Sequence, residues 1–304
     1  MVPILSSRKR LLLIYKIGEL GGKLLILPAL ILVSIFVIFP VIWSAIISFT
    51  DLTLVGPKAM ELTFIGIKNY MKLLSDPDFY NSIKVSFLFT LFSALIGQAF
   101  LGLLLAILLR MEGVRGKLPV TLAVFIAWIL PEVVTGYMWG AYASRYGLLN
   151  ILLRPLGIGG VNWLYEKPLE TIIIANIWRG TAFSMILFMA ALESIPSYIY
   201  DAAEVDGASK WQKFRYITLP LIAHVILIDF ILITIWTFGV FTMIFVMAGR
   251  MGGATELWTI FAYYRALTPP YKFGYAAAAT NIMCIIVIAL IATYLKLIGR
   301  LERW

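Results

Sequence analysis

The fold is decided by residues 85–143, which read VSFLFTLFSALIGQAFLGLLLAILL (85–109), RMEGVRGK (110–117) and LPVTLAVFIAWILPEVVTGYMWGAYA (118–143). The two flanking blocks are almost wholly apolar, and the hydrocarbon core of a bilayer needs roughly 20 helical residues to cross it. Each block is therefore predicted to be a transmembrane helix. The short basic link from Arg110 to Lys117 leaves no room for anything but a turn, so the two must be antiparallel neighbours.

Four more blocks of comparable length stand at residues 24–49, 171–192, 221–248 and 275–296. The prediction is an all-α membrane protein of six spans. An even number places both termini on one side. Lys and Arg number 14 in segments 1–23, 110–117, 193–220 and 296–304, against 10 in the longer alternate segments 50–84, 144–170 and 249–274. The excess of positive charge in short loops marks the cytoplasmic side, so both ends are predicted to be inside.

Composition agrees with this reading. Of 304 residues 62% are apolar and 13% charged, far from the globular norm of about half and about a quarter. The formal charge of +9 is spread between apolar blocks instead of gathered on a basic, aromatic-interleaved patch, which excludes nucleic acid as the partner. Residues 24–304 are expected to form a single transmembrane domain contacting lipid. The run 24–49 is too long for the apolar region of a signal peptide. Residues 1–23 carry Lys9, Lys16 and Lys23 at seven-residue intervals among Leu12, Leu13, Tyr15, Ile17 and Leu20, the pattern of an amphipathic helix lying in the cytoplasmic interface. A lone Cys284 inside a span permits no intrachain disulfide and is read as packing. No internal repeat is evident.

The longest polar stretch on the predicted cytoplasmic side is 193–220, ESIPSYIYDAAEVDGASKWQKFRYITLP. Pro196 suits a helix start, Ala202, Ala203 and Glu204 favour a helix interior, and Gly207 fits the left-handed position that ends one. Ser209 can cap a second short helix with Trp211, Phe214 and Ile217 on one side and Lys210, Lys213 and Arg215 around the other. Leu219-Pro220 would then turn the chain into the fifth span. The expectation is a helix–turn–helix lying against the membrane.

Asp201-Ala202-Ala203, two residues, then Asp206-Gly207-Ala208, followed by Phe214, Ile217, Leu219 and Pro220, resembles the EAA loop of binding-protein-dependent ABC importer permeases, with Asp201 where that family usually has Glu. Six or more fixed positions over 20 residues disfavour a chance match on an amphipathic connector. Ala191-Leu-Glu-Ser-Ile-Pro196, Gly147-Leu-Leu-Asn150 and Gly252-Gly-Ala-Thr255 are similar to the sugar-importing permeases in particular. The resemblance implies a chain in the inner cell membrane that forms half of a translocation pathway with a second homologous permease. It also implies two ATP-hydrolysing subunits, which bind ATP and magnesium, and an extracytoplasmic sugar-binding protein. The coupling loop would comprise Asp201, Ala202, Ala203, Glu204, Asp206, Gly207, Ala208 and Phe214, its small residues permitting close backbone approach to the ATPase. Glycerol phosphate is the alternative cargo, because permeases for it look very similar.

The chain itself is expected to hold no cofactor, metal or catalytic residue. It has no Gly-x-x-x-x-Gly-Lys-[Ser/Thr] phosphate loop, and Gly116-Lys117 lacks both the upstream Gly and the hydroxyl residue. A secondary transporter would show inverted repeats or broken helices at matching positions, and neither is apparent in the sequence.

Ionisable residues inside spans are costly and usually face a pathway or each other. Counting about 1.5 Å per residue places Glu132 and Arg179 at similar depth, so an ion pair is expected, either beside the pathway or as helix-to-helix glue. Asp229 falls nearer the inner face, and His224 falls at the interface. Sugars are held by hydroxyl hydrogen bonds and by stacking on aromatic rings, which makes Tyr137, Asn176, Trp178, Trp236 and Asn281 candidate lining residues, along with Trp139. Gly136-x-x-x-Gly140 and Ala276 to Ala279 are read as tight helix packing.

Overall fold

The computed structural model describes residues 25–301, apart from 57, 58, 60, 112 and 250–252. The amphipathic helix expected over residues 1–23 lies outside that range. Among the described residues the regular structure is helical, with isolated bridges joining Thr50 to Phe64 and Thr53 to Lys272.

Five helices are long and apolar enough to span a membrane: α1 Leu25–Ile47, α3 Pro77–Arg110, α6 Pro168–Glu193, α8 Lys210–Gly239 and α11, of which Phe273–Gly299 is the spanning part. Between them lie α2 Lys68–Leu73, α4 Lys117–Ile129, α5 Glu132–Tyr142, α7 Ser197–Val205, α9 Thr242–Met247 and α10 Trp258–Leu267. The predicted spans at 24–49, 85–109, 171–192 and 275–296 fall on α1, α3, α6 and α11, with α3 starting earlier, at Pro77, where Asp76 accepts a hydrogen bond from the Asp78 N–H.

The other two predicted spans need correction. Residues 118–143 are not one helix: α4 and α5 meet at 107° across Leu130-Pro131. Proline has no N–H to donate and its ring disfavours a helical residue before it, and Leu130 is accordingly extended, with ψ 133°. α4 and α5 together are apolar enough to cross a membrane, so the chain has five candidate spans, or six if this bent pair counts as one. The block 221–248 likewise ends as a helix at Gly239, with Val240 extended before α9 begins. Broken helices, which the sequence did not betray, are thus present after both α4 and α8.

The two pieces beyond the breaks, α5 and α9, pack on each other. A Cβ on Gly136 would come 2.8 Å from the Met243 carbonyl oxygen, so only a glycine lets the backbones approach this closely. Around them Phe89, Trp139, Ile172, Met243, Ile244 and Ile260 form one apolar core. A second core, with Ala94, Ala106, Phe188, Ile222 and Ile233, binds α3, α6 and α8. At the α3–α6 crossing a Cβ on Gly102 would meet the Ser184 Cβ at 2.5 Å. Leu73, Phe79, Phe261 and Tyr275 close the end formed by α2, α10 and the start of α11. Ala276 to Ala279 are buried as expected, whereas Cys284 is exposed instead of packed, on a face of α11 that no described residue covers. α1 stands out from the bundle, exposed along its length until Ile47 packs near Ala277.

Candidate functional site

Two regions collect the residues singled out by sequence. The first is the helix–turn–helix. Ser197 to Val205 form α7, and the turn after it is set by Gly207 at φ +75°. The Ala208 N–H donates to the Ala203 carbonyl at 2.9 Å and the Gly207 N–H to the Glu204 carbonyl at 3.0 Å, the paired bonds of a Schellman motif. Ser209 then caps the next helix reciprocally: its hydroxyl accepts from the Gln212 N–H, and its own N–H donates to the Gln212 side chain at 2.7 Å.

The second short helix is not a separate element. It runs through a wider turn at Phe214–Thr218 directly into the apolar body of α8, so Leu219-Pro220 does not redirect the chain. A displacement of residues 210–213 is therefore a displacement of α8 itself. The two helices are clamped by Lys213 donating to Glu204 at 2.7 Å and by Tyr200 bonding the Thr218 hydroxyl at 3.0 Å. The Lys213 hydrogen bond, reinforced by its charge, holds the exposed Glu204 carboxyl below its usual range. The link is accordingly present at neutral pH and is lost only as acid protonates Glu204.

One side of the motif is embedded and the other bare. Ile199 and Tyr200 pack on the core beneath, Ala203 and Ala208 are half-buried, and Asp201, Ala202 and Asp206 are exposed. Tyr198, Val205, Trp211 and Tyr216 are also exposed, Val205 to 89%. Trp211 packs on the half-buried Phe214, the rings tilted by 41° with centroids 5.6 Å apart.

The second region lies midway along the bundle. Arg179 of α6 meets Glu132 at 3.2 Å, side chains 23% and 34% exposed. Glu132 is not in mid-helix but in the first turn of α5, just past the break, where a helix N-terminus favours negative charge. Arg179 also lines a small cavity of about 40 Å³ with Gln98, Trp128, Asn176, Phe183 and Trp236. Its Nε is buried and has no hydrogen-bond partner among the described residues. Asn176 donates to the Ser93 hydroxyl at 2.8 Å, and Gln98 donates to the Asn176 main-chain carbonyl at 3.1 Å. A side chain on Gly180 would collide with Gln98. Phe183 and Trp236 meet edge to face at 4.6 Å.

Of the aromatic and amide candidates, Asn176 and Trp236 thus come together with Arg179. Tyr137 is exposed on α5, and Trp178 packs edge-on against Trp139 at 6.0 Å. Asn281 ties α11 to α1 through two hydrogen bonds with Ser44, both 3.2 Å. Sequence reasoning passed over Gln98, Trp128 and Phe183, which sit in apolar runs and become neighbours only where α3 and α4 both pack on α6. It also gave no partner to Asp229, which is fully buried and accepts from the Ser184 hydroxyl at 3.0 and 3.1 Å. His224 is exposed.

Fold and site together define a helical, multi-spanning membrane protein that presents a capped helix–turn–helix at one end of its bundle. Residues 98–301 match the family described as the binding-protein-dependent transport system inner membrane component, and the chain belongs to that family of ABC importer permeases. It is 35% identical to the trehalose/maltose transport system permease protein MalF of Thermococcus litoralis, covering 93% of this chain and 94% of that one. It is 32% identical to the sulfoquinovosyl glycerol transport system permease protein SmoG of Agrobacterium fabrum, covering 92% of each. Among solved structures, a bacterial ABC transporter involved in the import of the acidic polysaccharide alginate superposes with a TM-score of 0.78 over 94% of this chain and 97% of that one, at 22% identity, a likeness of fold.

Proposed function

We propose that this permease imports a neutral sugar through the cell membrane as half of a pathway completed by a second permease. Two ATP-hydrolysing subunits power the pair, one of them docking on the exposed side of residues 197–217, and a sugar-binding protein delivers cargo at the opposite face. The supporting observation is the chemistry of the cavity beside Arg179, where aromatic rings (Trp128, Phe183, Trp236) face hydroxyl-bonding groups (Gln98, Asn176, Thr237). Its one cation among the described lining residues is already met by Glu132, which suits an uncharged polyol better than glycerol phosphate. The names of the relatives, which include trehalose, maltose and lactose carriers, point the same way.

The cavity's volume fits a closed state. Ligand pockets run from roughly 300 Å³ upward, so cargo enters only when the helices part. α8 carries both Trp236 and, at its other end, the docking residues. A push on the docking end therefore moves a wall of the cavity. Transport of labelled sugars and of glycerol phosphate by the complete importer tests the cargo. Trp236→Ala should raise the half-saturating sugar concentration severalfold, the loss of roughly 1 kcal/mol of ring contact. Uptake of glycerol phosphate in preference to every sugar would contradict the proposal.

A further inference from the structure

A cleft of about 470 Å³ lies between the end of α3 and the inner side of the helix–turn–helix. Its rim is basic, with Arg110, Lys210 and Lys213, and its floor is apolar, with Ile107, Leu192 and Phe214. Lys213 is committed to Glu204. Arg110 and Lys210 have no carboxylate within ion-pair distance among the described residues, and the Arg110 guanidinium is held over the Tyr200 ring, 5.4 Å from its centroid. No described residue lining the cleft is acidic.

We infer that this cleft binds an anionic phospholipid, its phosphate between Arg110 and Lys210 and an acyl chain along Ile107 and Leu192. Three features favour a lipid over an acidic protein segment. The cleft opens where the apolar run of α3 stops at Arg110, the depth at which lipid headgroups sit. Its floor is apolar below a cationic rim, which matches an amphiphile and leaves a charged peptide without contacts. The third rim cation, Lys213, is already neutralised by Glu204 of α7, which leaves charge for one phosphate and not for a run of carboxylates. Because Tyr200 and Lys213 also clamp the two short helices, a lipid wedged here stiffens the same turn that docks the ATPase. The regulatory consequence rests on the proposed coupling role; the binding site does not.

The test uses the complete importer in nanodiscs of phosphatidylcholine with and without phosphatidylglycerol, read by native mass spectrometry for retained lipid and by ATPase stimulation with loaded binding protein. Wild type should retain phosphatidylglycerol and be stimulated more strongly in its presence. Arg110→Gln should lower retention about fivefold, the effect of one basic residue at an anionic surface, and Arg110→Lys should restore it. Inorganic phosphate and soluble glycerol phosphate should not compete. Equal retention by wild type and Arg110→Gln, or displacement by inorganic phosphate, would overturn the lipid assignment. Loss of ATPase pull-down by Arg110→Gln in neutral lipid would also overturn it, showing the rim to be a protein contact. If wild type retains the lipid but is not stimulated in any nanodisc, the coupling role fails and the site stands.

Discussion

The Glu132–Arg179 pair is half-screened and sits where an unpaired charge is expensive, so removing one partner leaves the other to be solvated by a narrow cavity. Breaking a fully buried pair costs about 3–5 kcal/mol, and the partial exposure here reduces that to roughly 1–3. Each of Glu132→Ala and Arg179→Ala should therefore impair assembly or transport, and the exchange Glu132→Arg with Arg179→Glu should recover part of the loss. Single variants that behave as wild type, measured by uptake and by yield of the assembled complex, would remove the pair from the account. The pair was legible from depth along each helix, although for an incomplete reason: the count assumed a straight third span, whereas Glu132 reaches Arg179 from the start of a new helix. Asp229 was visible as a buried acid, but its partner Ser184 was not, since an unremarkable serine gains meaning only from the helix crossing.

At the level of elements, the turn between α7 and α8 was readable because its chemistry is local. Gly207 at φ +75° and the Ser209–Gln212 capping box are each written within a few residues. Nothing lies within 4 Å of a Cβ built on Gly207, so a side chain there meets backbone strain, about 1–2 kcal/mol, and whatever docks against the loop. Gly207→Val should leave expression and membrane insertion intact while abolishing stimulation of the ATPase. Gly207→Asn, which tolerates the left-handed region, separates the two effects: an intact turn with lost ATPase pull-down would mark a flush interface. Full stimulation and pull-down in Gly207→Val would mean that residues 197–217 do not couple. The breaks were harder to read. Pro131 was in plain sight, yet the hydropathy on both sides is continuous, and an apolar run does not say whether its helix bends. After Gly239 the break has no proline at all; it lies where α9 packs on α5, a contact between residues about a hundred positions apart.

For the whole molecule, the number and placing of apolar blocks followed from the bilayer's thickness, which acts on each block alone. What surrounds the bundle did not, because α1 is exposed over most of its length and the loop helices present Tyr198, Val205 and Trp211 to solvent, surfaces that no described part of the chain covers. The proposed docking of residues 197–217 on a separate ATPase implies that transport needs the partner subunits. The most direct measurement is sugar accumulation in proteoliposomes, comparing the isolated chain with the same chain joined by its second permease, its ATPase and loaded binding protein. Uptake is expected only in the complete assembly and only with ATP on the side of the helix–turn–helix. Uptake by the isolated chain under a proton or sodium gradient would contradict it.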